Sequence, residues 1–438
     1  MRKMRRWKYL KRLGVVSLIF MFIQILIWTI FSSEHENEYK SYSAKEVIRS
    51  MYQIWGNGSS PLFVIDTDIL QELSLHKSSK QQQTCSVLCQ TKQRSITMGV
   101  IGTSWIKTKF PLHIFRQQGF LAVDGIENWP DVPDGQPVPQ VSTHIFLQHP
   151  KYQEPSIHLV VFYDRADGLW FSQIHMPVTD IKFGSTAGIF NRFKLQTVHV
   201  DGTSFKVPEK IHEFLDEIPD STFIECDKER AKEFFYKYKK DTSEQALKFK
   251  RKSRQLISLG KQVLDSIGVR FWLSSGTLLG WYRQCDIIPY AQDVDFGVWI
   301  KDHKSDIVPA FEKAGLSVKN VYGKVSDSFE LSFQSGDVKL DIFFFYEESD
   351  HMWNGGTDAA TAIKYKYIFI PKIQIMLDNF LDLQVRVPCP TKPYIEANYG
   401  KKWFEQVKTW SWKESPANVK QNGVWPKEEL DTMIQIYE

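Results

Sequence analysis

Apolar and polar positions follow three different rhythms along this chain. Residues 13–31 are nineteen consecutive uncharged residues, broken only by Gly14, Ser17, Gln24 and Thr29. A helix of that length, at about 1.5 Å per residue, spans the roughly 30 Å hydrocarbon layer of a bilayer. Short apolar runs then predict strands at Leu62-Phe63-Val64-Ile65, His158-Leu159-Val160-Val161-Phe162-Tyr163 and Leu169-Trp170-Phe171. The last two flank Asp164-Arg165-Ala166-Asp167-Gly168, a turn sequence that predicts a hairpin. Residues 125–141, rich in Pro and Asp, predict a surface loop. A helical rhythm runs over 228–267, with an N-cap signature in Asp241-Thr242-Ser243-Glu244-Gln245, apolar Leu256, Ile257, Val263, Leu264 and Ile267, and Gly268 as the stop. After Gly268 strands return: Val269-Arg270-Phe271-Trp272-Leu273, then 294–300, Leu331-Ser332-Phe333-Gln334 and 338–346, with a helix predicted at 306–313.

These rhythms give an organisation. At 438 residues the chain exceeds one ordinary core. It is expected to comprise a tail (1–12), an anchor (13–31), a polar stem (32–44), an N-terminal α/β domain (45–225) and a strand-rich, nucleotidyltransferase-like α/β domain (226–438) that holds the chemistry. Apolar content of 42% with 24% charged residues excludes a disordered chain.

Charge orients the anchor. Arg2, Lys3, Arg5, Arg6, Lys8, Lys11 and Arg12 precede it, so the short N-terminus is expected in the cytosol and the rest across the membrane. A cleaved signal peptide has a shorter apolar region and a small-residue site, whereas this run ends Ile27-Trp28-Thr29-Ile30-Phe31. Without those seven of its 55 Lys and Arg, the chain has 48 against 51 Asp and Glu. The basic excess of a nucleic-acid binder is therefore missing from the folded part. Lys237, Lys239, Lys240, Lys248, Lys250 and Lys252 read as a solvated helix face. Five cysteines allow at most two disulfides and one odd thiol. Cys85 and Cys89 pair locally, or one of them reaches Cys226, and no second Cys or His pair stands near to make zinc a good reading. Asn57-Gly58-Ser59 is a glycosylation sequon that suits a lumenal loop.

Candidate chemistry centres on Asp293-Val294-Asp295. In a strand, residues two apart face the same side, so both carboxylates project together. Paired oxygen ligands suit Mg²⁺ or Mn²⁺. Asp66-Thr67-Asp68 is the internal control: it follows an apolar strand without further acids or glycines around it and reads as a strand-end turn or helix cap. Upstream of Asp293, a strand leaves through Ser274, Ser275, Gly276 and Thr277 toward Gly280 and Arg283. Small residues at a helix start let backbone N–H groups approach phosphate oxygens, and Arg283 adds a cation. Downstream, Asp341 interrupts Val338-Lys339-Leu340-Asp341-Ile342-Phe343-Phe344-Phe345-Tyr346. An acid so placed is costly unless paired or metal-bound. It is either a third metal ligand or a strand-edge partner of Lys339.

Ser275 to Arg283, Ile288-Pro289-Tyr290 and Asp293-Val294-Asp295-Phe296-Gly297, in that order, resemble the LicD/fukutin phosphotransferase family. Asp350-His351-Met352-Trp353-Asn354-Gly355-Gly356-Thr357, Tyr394-Ile395-Glu396-Ala397-Asn398-Tyr399-Gly400 and Trp410-Ser411-Trp412-Lys413 extend the resemblance, which covers nearly the whole chain. It implies a single-pass Golgi ribitol-5-phosphate transferase with CDP-ribitol as donor and the O-mannosyl glycan of α-dystroglycan as acceptor, and it allows a complex with related Golgi transferases. By position it makes Asp293, Asp295 and Asp341 metal ligands, and Ser275, Gly276, Thr277, Gly280 and Arg283 the donor-phosphate loop. His351 and Trp353 are candidates for substrate contact, and Trp403, Trp410, Trp412 and Trp425 for either core packing or sugar stacking. Ser275 stands where relatives often carry Gly, and Tyr290-Ala291-Gln292 where they often carry acids, which leaves the metal count open. The rival readings are a sugar-nucleotide glycosyltransferase using the same Asp-x-Asp, and a non-catalytic Golgi adaptor.

Overall fold

A computed structural model describes residues 43–56, 60–75, 85, 87–89, 95–130, 136–150, 156–165, 168–174, 183–184 and 187–437. The expected anchor, nearly all of the stem and Asn57 lie outside them. Among the described residues, no helix is long and apolar enough to cross a membrane.

The chain divides into two compact units. The first unit is built from residues up to 100, 104–161 and 195–208. It opens with α1 (Ala44–Trp55), started by a capping box in which Ser43 and Glu46 bond each other's backbone N–H, with Val47, Ile48, Met51 and Trp55 buried. Then come β1 (Leu62–Val64), α2 (Thr67–Leu75), β2 (Ser95–Ile101), the single turn α3 (His113–Arg116), β3 (Leu121–Asn128), β4 (Gln140–Gln148) and β5 (Ser156–Arg165), in the sheet order β1-β2-β5-β4-β3. The loop expected over 125–141 is shorter than anticipated. Its ends continue β3 and β4, paired from Gly125 to Asn128 with Gln140 to His144. Asp66 acts as a cap: Oδ1 accepts the N–H groups of Asp68 and Ile69 at 3.2 and 3.3 Å, and Oδ2 that of Thr97 at 3.2 Å. Cys85 pairs with Cys89.

The second unit comprises residues 101–103, 162–194 and 209–438. Residues 162–194 and 209–225 thus pack with the C-terminal half, although the sequence suggested a boundary near 225. The end of β5 forms the expected hairpin with β6 (Gly168–Phe171), which pairs with β7 (Gly188–Asn191); β8 (Leu195–Val200) and β9 (Thr203–Pro208) belong to the first unit. Next come α4 (Ile211–Glu217), α5 (Lys228–Lys237) and α6 (Glu244–Ser266). The side chain of Ser243 caps α6, accepting the N–H of Ala246, and Gly268 at φ 64° ends it in the left-handed region open to glycine. The sheet that follows uses β10 (Phe271–Leu273), α7 (Ser275–Gln284), β11 (Asp293–Trp299), α8 (Ile307–Lys313), β12 (Ser317–Lys324), β13 (Asp327–Ser335), β14 (Val338–Glu347), β15 (Met352–Thr357) and β16 (Ile363–Phe369). A hairpin of β17 (Gln374–Phe380) and β18 (Leu383–Cys389), then α9 (Thr391–Tyr399), β19 (Val419–Val424), the turn α10 (Leu430–Met433) and β20 (Ile434–Ile436) complete the unit. Cys226 is joined to Cys285, and Cys389 is free.

At the centre, β11 runs parallel to β14 in the register Val294↔Leu340, Asp295↔Asp341 and Phe296↔Ile342, while β13 pairs antiparallel on the other edge of β14. Alternation sends Val294, Phe296, Leu340 and Ile342 into the core. Gly260 of α6 lies directly over them: a Cβ there would meet the Phe296 ring at 2.7 Å and Leu340 at 3.2 Å. On β11 itself, a Cβ on Gly297 would meet the ring of Trp272 at 2.4 Å. Trp272 is wholly buried and cannot retreat without opening the sheet. We predict that Gly297→Ala lowers stability by about 1–3 kcal/mol or more. Chemical denaturation of the wild type and this variant checks it, and equal midpoints would refute the packing account.

Candidate active site

Asp293, Asp295 and Asp341 converge. The parallel register places Asp295 beside Asp341, and Asp293 lies one pleat back on the same face. One oxygen from each of the three lies within 4.8 Å of the others. Asp295 and Asp341 are 5% and 3% exposed, so neither is solvated as a surface acid would be. Burial, then the charges of Asp293 and Asp341, push the Asp295 carboxyl well above the usual carboxylate range. Asp293 is raised by burial and by Asp341, and Asp341 by burial.

Local structure fixes each acid. Asp295 is tied to the start of α7: Oδ2 accepts the N–H of Thr277 at 3.1 Å and its hydroxyl at 3.3 Å. The N–H of Asp295 in turn donates to Thr277 Oγ1 at 2.8 Å. Asp341 accepts from Ser332 Oγ at 2.6 Å and pairs with Lys339 Nζ at 2.8 Å. Of the two sequence readings of Asp341, the pairing with Lys339 is present but the strand-edge setting is not, because Asp341 is buried among the acids. Burial works against the charge of Lys339, but Asp341, Glu330 and Asp293 raise its pKa above the ordinary lysine value.

A cavity of about 720 Å³ opens over this face. Ser275 and Gly276 line it at the N-terminal end of α7, where helix amides favour an anion. Ser275 has φ 40°, in the left-handed region that favours glycine. Other donor-loop residues take other places. Thr277 orients Asp295. Gly280 serves packing, since a Cβ there would meet the carbonyl oxygen of Asp286 at 2.6 Å. Arg283 stands eight residues along α7 from Ser275, about 12 Å at helical rise. It reaches the cavity wall, but Nε and Nη2 donate to Gln284 at 3.2 and 2.8 Å, Nη1 donates to the Glu405 carbonyl at 3.3 Å, and the guanidinium covers the Phe234 ring.

His351 and Trp353 are not in the cavity. His351 bonds Asp350 in the β14–β15 hairpin, and Trp353 stacks on Tyr346 with ring centroids 4.3 Å apart. Trp353 pairs with Tyr346, five residues beyond Asp341 and so about 17 Å along the strand. The cavity begins one residue later, at Asn354, Gly355, Gly356 and Thr357. Trp403, Trp410 and Trp412 line it, whereas Trp425 is buried and donates to Thr357 Oγ1. Two groups escaped the sequence reading. Tyr399 is half-buried beside Gly276, its pKa held well above normal by desolvation and the Asp295 charge. Glu330 is a fourth carboxylate in the cavity, raised to about 8 by burial and by Asp341. Its signal was present: an acid on the polar face of the strand preceding that of Asp341.

The donor set is three hard carboxylate oxygens without sulfur or imidazole, which fits Mg²⁺ or Mn²⁺ and not a structural zinc. Raised carboxyl pKa values also set a direction for stability. Between their unfolded and folded pKa values these groups are protonated only in the folded state, so stability falls as pH rises through that window. We predict that the melting temperature of metal-free protein falls as pH rises above the ordinary carboxylate pKa of about 4. Asp295→Asn should flatten the slope, as read by calorimetry in EDTA; an unchanged slope would contradict the repulsion among the acids.

Family comparison agrees with this geometry. Residues 1–254 match the family model described as Fukutin N-terminal, and residues 268–390 the model described as LicD/FKTN/FKRP, nucleotidyltransferase domain. The chain is 42% identical to the Ribitol-5-phosphate transferase FKTN of Homo sapiens, over 89% of this chain and 88% of that protein. The protein of the same name from Macaca fascicularis gives the same identity and coverage. That of Mus musculus is 50% identical over 64% of this chain and 63% of its own.

Proposed function

The chain belongs to the fukutin family, and we propose that it acts as a ribitol-5-phosphate transferase that takes its substrate from CDP-ribitol and delivers it to a hydroxyl of the O-mannosyl glycan on α-dystroglycan. The observation that carries the reading is the convergence of three carboxylates, two buried and one half-buried, beneath the amino end of a helix, inside one cavity. That arrangement suits a pyrophosphate. We further propose that the cation held by Asp293, Asp295 and Asp341 is Mg²⁺ or Mn²⁺. When bound, it supplies positive charge against the phosphate oxygens.

The chain's own residues do the rest. Ser275 and Gly276 face the donor phosphates with the helix dipole behind them. Thr277 and Ser332 hold Asp295 and Asp341 in place through hydrogen bonds. Lys339 balances the charge of Asp341 and stands within reach of an incoming phosphate. Trp410 and Trp412 offer partly exposed ring faces to sugar. The acceptor oxygen attacks the phosphorus that bears ribitol, a phosphodiester forms, and CMP leaves. A glycosyltransferase would attack a sugar carbon and leave no phosphate in the product. The proposed setting is the Golgi membrane, with a type II anchor at 13–31, the folded units in the lumen, and related transferases as candidate partners.

Asp293→Asn keeps shape and removes charge. We predict a loss of ribitol-phosphate transfer of at least about a hundredfold, with the fold retained. Activity should vanish in EDTA and return with Mg²⁺ or Mn²⁺. Mass spectrometry of the glycan product, counting one phosphate per ribitol added, is the readout. A phosphate-free product, or near-normal turnover by the variant, would overturn the reading.

A further inference from the structure

The fourth carboxylate of the cavity has no part in the mechanism above. Glu330 lies on β13, two residues before Ser332, and so on the face from which Ser332 bonds Asp341. Its register partner is Phe343, which makes Glu330 the diagonal neighbour of Asp341, about 7–8 Å away along the sheet. Both residues line the same cavity, which an acceptor hydroxyl can enter. Strand order supplies the direction. The acids of β11 lie on one edge of β14 and Glu330 lies across the other edge. The amino end of α7 is bonded to Asp295, on the β11 side. Donor phosphates gathered at that helix end and a hydroxyl beside Glu330 therefore approach the three acids from opposite sides. In-line displacement at phosphorus requires the entering and leaving oxygens to be so placed.

We propose that Glu330 is the general base of the transfer. Its carboxylate takes the proton of the acceptor hydroxyl as that oxygen forms its bond to the ribitol-bearing phosphorus. The bond from phosphorus to the bridging oxygen breaks, and its electron pair leaves with CMP. Glu330 then returns the proton to solvent. The proposal rests on the phosphoryl-transfer reading above.

The groups around Glu330 bear on its basicity. Asp341 and Lys339 face it from β14, Asp293 from β11, Tyr322 from β12 and Tyr367 from β16. Burial and the two acids raise its proton affinity, while Lys339 lowers it. A carboxylate so situated is a stronger base than an exposed one.

The test uses the full chain with CDP-ribitol and an O-mannosyl glycopeptide acceptor, comparing wild type, Glu330→Gln, Glu330→Asp and Asp293→Asn. Three measurements are made: turnover against pH, KM for the donor, and the melting shift induced by Mn²⁺. Glu330→Gln should lose about a hundredfold or more in kcat. It should keep the donor KM and the Mn²⁺ shift, and lose the acidic limb of the pH profile. Glu330→Asp should restore part of the rate and the limb, and its melting curve guards against a folding defect. Turnover of Glu330→Gln within threefold of wild type would overturn the base assignment. Loss of the Mn²⁺ shift, as in Asp293→Asn, would overturn it as well by making Glu330 a ligand. A wild type inactive on CDP-ribitol would instead sink the transfer reading and this proposal with it.

Discussion

Mutual repulsion among Asp293, Asp295 and Asp341 is the constraint around which the second unit is arranged. Three carboxylates with oxygens within 4.8 Å cannot all be ionised in a dry interior without compensation. Part of that compensation is built in: Thr277 and Ser332 donate hydrogen bonds, the end of α7 adds its dipole, and Lys339 contributes one positive charge. One lysine does not balance three acids. The remainder is the charge that the proposed cation would supply.

Convergence of this kind needs a rigid floor. Val294, Phe296, Leu340 and Ile342 anchor the two strands from below, and Gly260 lets α6 approach Phe296 and Leu340 without a side chain between. Each buried aromatic or aliphatic side chain is worth about 1.5–3 kcal/mol against exposure. That gain offsets the cost of holding the acids together on the opposite face. The bond between Cys226 and Cys285 fixes the segment before α5 to the end of α7, the helix that carries Ser275 and Gly276.

The roof comes from distant sequence. Tyr399 at the end of α9 and Trp403, Trp410 and Trp412 beyond it close over Gly276 and Gly356. Tyr367 holds this segment by donating to the carbonyl oxygen of Trp412 at 2.8 Å. The wall over Gly276 and the wall with ring faces thus belong to one return of the chain and enclose one space.

Sequence alone determined the strands of the two-residue rhythm, the long helix ending at Gly268, and the three acids, because each follows from spacing within a single element. It also separated Asp66, a cap, from Asp293, which converges with two further acids, since the residues around them differ. Tertiary structure decided what depends on register and depth. Arg283 is spent on Gln284 and a carbonyl, Gly280 is a packing glycine, and His351 and Trp353 sit too far along β14–β15. Each carried a chemically suitable side chain, but distance to the acids is set by pairing and helix rise, not by residue type. Glu330 carried only a weak signal for the complementary reason. Its neighbour Asp341 is eleven residues away in sequence, and only the β13–β14 hairpin brings the two onto one face.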